Sequence, residues 1–95
     1  MTGKEFKIYA EDAIMDITHR IDELRQRSNT IDADIKNDFE DKIAGLIQNR
    51  DDLRALVEDY EYATENQWEE FKVEFSTGLE RLQKGFEKLF NILSN

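Results

Sequence analysis

His19 is the only histidine in the chain, and Asp16 lies three residues before it. On a helix that spacing turns both side chains to one side, which is a first step toward a metal site. A di-iron bundle needs Glu-x-x-His from two helices together with further carboxylates. Here there is one Asp-x-x-His, with no second copy. A dimer would supply a second His19, but the inward-facing Glu residues are still missing. The pair therefore reads as a surface histidine on a charged face. Asp32, Asp34 and Asp38 have the spacing that opens a calcium loop. An EF-hand requires Gly at its sixth position and Glu at its twelfth. Asn37 and Ile43 stand there, and the stretch has a helical pattern.

A third constellation is acidic. Glu58, Asp59, Glu61, Glu65, Glu69, Glu70 and Glu74 are accompanied only by Lys72. Glu58, Glu61, Glu65 and Glu69 would share a face if one helix ran through them. Such a face could hold a divalent cation or meet a basic partner, although a run like this is usually a solvated face. Ser28, Thr30, Ser76 and Thr77 have no base beside them in sequence, and nucleophilic catalysis needs one. Gly45, Gly78 and Gly85 are isolated and form no phosphate loop. Gly78 and Gly85 are seven apart, so they share a helix face and point to close helix approach. The absence of cysteine removes disulfides, thiolate chemistry and Cys-based zinc sites. No catalytic, cofactor-binding or metal residue is expected.

The elements that carry these residues are helical. The 95 residues are 37% charged and 39% hydrophobic, with no Pro. Abundant charge without Pro suits long solvated helices, and regular apolar spacing separates this chain from a disordered one. From the N-terminal side the spacing runs Ala10, Ile14, Ile17, Ile21, Leu24, Ser28, Ile31, Ile35, in alternating steps of four and three. That is a heptad seam. It continues through Phe39, Ile43, Leu46, Arg50, Leu53, Val57 and Tyr60, with a stutter at 35–39–43. Ser28-Asn29-Thr30 is the weakest helix-forming stretch of this half. The phase survives it, and it lacks the Gly or Pro of an ordinary turn. The spacing thus predicts one helix over about 4–62, on the order of 90 Å long at ~1.5 Å per residue. Such a helix needs a partner along its seam.

Thr64-Glu65-Asn66-Gln67 has the form of a capping box. An amphipathic run follows at Trp68, Phe71, Phe75, Leu79, Leu82, Phe86, Leu89 and Leu93. Glu69, Glu70 and Glu74 lie early in it and Arg81, Lys84 and Lys88 late, in the order that the helix dipole favours. A helix over about 65–93 is expected, with that run as its packing face.

The expected fold is all-α, in a single domain over 1–95. The long helix and the C-terminal helix form an antiparallel coiled-coil hairpin that assembles into a helical bundle. The alternative is a closed three-helix bundle, turning near Ser28-Asn29-Thr30 and near Thr64. In the hairpin, the last helix covers roughly residues 35–62. The seam of Ala10, Ile14, Ile17, Ile21, Leu24, Ile31 and Ile35 would then lie open at its N-terminal end. Soluble monomers avoid an apolar stripe of that length. A homo-oligomer, most simply a dimer, is expected to use this seam as its interface.

The net charge is −9, spread evenly: 7 basic and 11 acidic residues over 1–47, and 6 and 11 over 48–95. Nucleic-acid binding needs a basic stripe. The only basic cluster, Arg20, Arg25 and Arg27, is interrupted by Asp22 and Glu23. No apolar run follows Met1-Thr2-Gly3-Lys4 to make a signal peptide, and none approaches the ~20 residues that span a bilayer. A cytoplasmic protein is expected. Surface-seeking helices usually carry Lys and Arg on the polar face. From Trp68 onward there are five acids and four bases, which favours core packing over a membrane.

Three blocks resemble the small bacterial coiled-coil hairpin proteins, some of which are described as stress-associated. They are Phe39-Glu40-Asp41-Lys42-Ile43, Asn49-Arg50-Asp51-Asp52-Leu53 and Trp68-Glu69-Glu70-Phe71-Lys72. Leu79-Glu80-Arg81-Leu82-Gln83-Lys84 to Phe86 is similar to their ending, and the likeness runs from about Ile14. The Ile-rich first seam and the aromatic-rich tail depart from it. The resemblance implies a helical fold and a bacterial origin. That family has no established biochemical activity, so the resemblance implies no site residue. The function expected is that of a non-enzymatic structural or interaction protein acting through helix packing, with an unidentified protein partner. The alternative is a lipid-surface protein using Trp68, Phe71, Phe75, Phe86 and Phe90.

Overall fold

The computed structural model describes residues 3–94, so the Met1-Thr2 and Asn95 ends of the expected domain lie outside the described residues. Three helices follow one another: α1, Gly3–Arg27; α2, Ala33–Asp59; and α3, Glu65–Ser94. A single 3₁₀ turn, Ser28–Thr30, joins the first two. The helices lie side by side in a bundle of 49 × 19 × 17 Å. The central helix α2 packs on both neighbours more extensively than α1 and α3 pack on each other.

The all-α bundle is as expected. The continuous helix over 4–62 is not what forms: the chain breaks at residues 28–32 and adopts the three-helix alternative. Local hydrogen bonds accompany the break. Ser28 Oγ donates to the Arg25 carbonyl at 2.6 Å, and Thr30 Oγ1 donates to the Arg27 carbonyl at 2.8 Å. A continuing helix would give those carbonyls to later backbone N–H groups, so the hydroxyls compete with it. Ile31 (φ −92°, ψ 160°) and Asp32 (φ −62°, ψ 142°) are extended. The Asp32 carbonyl then accepts from Ile35 N and Lys36 N at 3.2 and 3.1 Å and starts α2.

The second break follows the sequence closely. Thr64 N donates to Gln67 Oε1 at 2.8 Å, which is the reciprocal half of a capping box. Trp68 N donates to the Thr64 carbonyl at 3.0 Å and opens α3. Neither joint uses a positive φ.

The reversal at Ser28 covers the isoleucine seam within one chain. Ala10, Ile14, Ile17, Ile21 and Leu24 are buried against the other two helices in one continuous core. The open stripe from which an oligomer was expected is therefore absent. Beyond Ser28 the seam is less well covered. Ile31 is only half-buried and Ile35 is 41% exposed, and full burial resumes at Phe39. The spacing at 35–39–43 thus marks an isoleucine outside the core rather than a stutter in a supercoil. On α3, Trp68, Phe71, Phe75, Leu82, Phe86 and Leu89 are buried, and Leu79 and Leu93 are half-buried. Fully burying a side chain such as Phe71 or Leu82 contributes about 1.5–3 kcal/mol.

One end of the bundle is aromatic. Phe71 packs edge-on to Phe6 (centroids 5.5 Å) and Trp68 (5.2 Å), and lies tilted against Tyr60 and Phe75. Such edge and tilted arrangements are worth about 0.5–1.5 kcal/mol beyond burial. Gly3 lies against the Trp68 indole so closely that a Cβ there would stand 2.5 Å from its ring.

Candidate functional site

The residues that could do chemistry are placed apart. Asp16 pairs with Arg20 at 3.3 Å and lines the groove between α1 and α3. His19 is exposed and lines a different groove, between α1 and α2. The two side chains therefore look to opposite flanks of α1. Asp32 occupies the N-cap position of α2, where its side chain makes no capping hydrogen bond, and Asp38 pairs with Lys42. The acidic run is divided by the break between Asp59 and Glu65, so Glu58 and Glu69 do not share a helix. Glu61 reaches Lys7 at 3.8 Å, and Glu69 reaches Lys72 at 3.3 Å. Among the described residues, no three His, Asp or Glu side chains are grouped to hold a metal ion.

Four of the hydroxyl groups serve the backbone. Thr18 and Thr77 donate to the carbonyls of Ile14 and Val73, each at 2.9 Å, as Ser28 and Thr30 do near the first turn. None of these bonds brings a base to a nucleophile. Tyr60 stands near several carboxylates. Burial of its phenol, then the carboxylates of Glu70, Glu74 and Asp59, raise its pKa above the ordinary tyrosine value. It sits in the aromatic end of the core, where packing accounts for its position.

The α1/α2 groove is an open, mainly apolar concave surface. It has a volume of about 440 Å³, and Ile14, Met15 and Val57 are its apolar lining. Glu11, Thr18, His19, Arg54 and Glu58 are the polar part of the lining. Met15 is 61% exposed. The heptad pattern did not single it out, because it lies beside the seam rather than on it. Its signal is the seven-residue step from Ile8, which is also exposed. Arg50 was legible only as an interruption of the α2 seam. In the fold it spans the two helices: it donates to Thr18 Oγ1 at 3.4 Å and through Nε and Nη2 to Asp51 at 3.1 and 3.0 Å. Its charge is thus neutralised where it crosses the seam.

No family model, curated protein or solved structure matches the chain. The likeness to small bacterial coiled-coil proteins accordingly rests on the sequence blocks alone. No helix among the described residues is long and apolar enough to cross a membrane.

Proposed function

We propose that the chain is a non-enzymatic interaction module that works through helix surfaces, with the α1/α2 groove as its docking face. The observation that supports this is Met15, an exposed apolar side chain in a groove lined also by Glu11 and Glu58, against Arg54 as the one permanent cation. The occupant that fits is an amphipathic helix presenting one apolar side chain flanked by Lys or Arg. The apolar side chain meets Met15 and Val57, and the basic flanks meet the two glutamates. Helix-in-groove recognition of this kind uses anchors at helical spacing. Charge complementarity of this kind adds specificity and on-rate more than affinity. The cytoplasmic location expected from the sequence is part of the same proposal. The lipid-surface alternative draws no support, because Trp68, Phe71, Phe75 and Phe86 are used in the core.

The test uses two labelled helical peptides with the same Leu face, one with a Lys polar face and one with a Glu polar face. The Lys peptide is expected to bind saturably and the Glu peptide not to bind. Met15→Glu weakens the Lys peptide even though it adds negative charge, whereas Val73→Glu on the outer face of α3 does not. Equal or stronger binding by Met15→Glu would mean bulk charge attraction and would overturn the proposal.

A further inference from the structure

The joint between α1 and α2 departs from a helix at only two residues. Arg27 is still helical (φ −69°, ψ −24°), and Ser28–Thr30 wind in the same sense as a 3₁₀ turn. Ile31 and Asp32 keep negative φ angles of −92° and −62°, and only their ψ angles are extended. No Gly or Pro occupies 28–33 to hold the reversal. The two carbonyls taken by the hydroxyls of Ser28 and Thr30 are those that Asn29 N and Ile31 N would fill in a continuous helix. The apolar spacing also runs across the joint through Leu24, Ser28, Ile31, Ile35 and Phe39. Yet the bundle leaves Ile31 half-covered and Ile35 41% exposed. A straight helix would place both on one stripe with Leu24 and Phe39.

We propose that the chain exchanges α1 with a second copy of itself. The joint straightens, and α1 and α2 become one helix over 3–59, about 85 Å long at ~1.5 Å per residue. Each α1 packs its Ala10-to-Leu24 stripe on the α2 and α3 of the other copy, remaking the contacts it left. Ile31 and Ile35 of the two copies then meet at the centre, which covers Ile35 and completes the cover of Ile31. Short hinges between elements that can pack equally well in another copy favour such exchange.

Refolding at high protein concentration, followed by light scattering and small-angle X-ray scattering, tests this. The expected product is a dimer longer than the 49 Å bundle, alongside monomer. Ala33→Pro is the deciding variant. Ala33 is exposed at the first position of α2, and Asp32 before it is already extended, so the bundle accepts Pro there. A continuous helix does not, and the dimer association constant is expected to fall by about 10²-fold or more. The double variant Asn29→Ala, Asp32→Ala, which strengthens helix at the joint, moves the balance toward dimer. A dimer that persists equally in Ala33→Pro would overturn the proposal. So would a double variant and an unmodified chain that both refold only to monomer.

Discussion

Gly78 and Leu53 meet where α3 comes closest to α2: a Cβ on Gly78 would stand 2.5 Å from Leu53 Cδ2. The relationship repeats seven residues along α3 and seven back along α2, where a Cβ on Gly85 would stand 2.6 Å from Leu46 Cδ2. Both leucines are buried, so each would have to re-pack its Cδ2 tip within the core to admit a Cβ. The glycines weaken α3 as a helix but let its backbone approach α2.

Alanine at either glycine is therefore expected to destabilise the bundle. The helix-propensity gain of about 1 kcal/mol is outweighed by overpacking of about 1–3 kcal/mol. Gly45 is the control, because nothing lies within 4 Å of its added Cβ. Gly45→Ala should stabilise by about 0.5–1 kcal/mol. Urea unfolding of the three variants reads the opposite signs directly.

The cap of α3 makes a second prediction. Gln67→Ala removes the acceptor that Thr64 N uses and is expected to cost about 1 kcal/mol. Gln67→Glu keeps an acceptor there and places a negative charge at a helix N-terminus. It should match or exceed the parent in the same unfolding experiment.

This cap was readable because it depends on four neighbouring residues and on nothing distant. The close approach of Gly78 and Gly85 was readable for a similar reason, since their seven-residue spacing puts them on one face. The reversal at Ser28 was not. A heptad phase reports which side of a helix is apolar, and two antiparallel helices facing one core can keep that phase across their joint. Whether Leu24 and Phe39 serve a long straight helix or a folded pair is decided by α3, which offers α1 a surface within the same chain. Met15 was missed because apolar periodicity ranks residues by seam position, and its single seven-residue step from Ile8 lies beside the seam. The separation of Asp16 from His19 was also hidden, because three-residue spacing places side chains near one another but does not say which neighbouring helix each will face.

Tyr60 predicts the alkaline limit of stability. Its folded-state pKa is raised above 10.0 by burial and by Glu70, Glu74 and Asp59. The folded protein thus holds the phenolic proton more tightly than the unfolded chain does. Its contribution is complete below pH 10 and is lost as pH rises through the folded value. Tm should fall with rising pH above about 10, and Tyr60→Phe should flatten the part of that fall that Tyr60 causes. An unchanged slope in Tyr60→Phe would assign the loss to other groups.

The aromatic end predicts where packing loss is greatest. Phe71 is fully buried among Phe6, Tyr60, Trp68 and Phe75. Phe71→Ala is expected to cost about 3–5 kcal/mol, which is a large share of the ~5–15 kcal/mol typical of a whole domain. Val73→Ala, on the exposed side of α3, should stay within about 0.5 kcal/mol. Trp68 fluorescence follows both transitions.

In the monomer, α1 folds back on α2 within one chain. Glu11 and Glu58 line the same groove from opposite helices, and the chain has no native cysteine to interfere with labelling. A spin-label pair attached through Glu11→Cys and Glu58→Cys, measured by dipolar spectroscopy on the dilute monomer fraction, reads the fold directly. Packed helices lie ~8–10 Å apart axis to axis, so the account predicts a separation below about 25 Å. A separation of about 70 Å, the length of a straight helix between those positions at ~1.5 Å per residue, would contradict it.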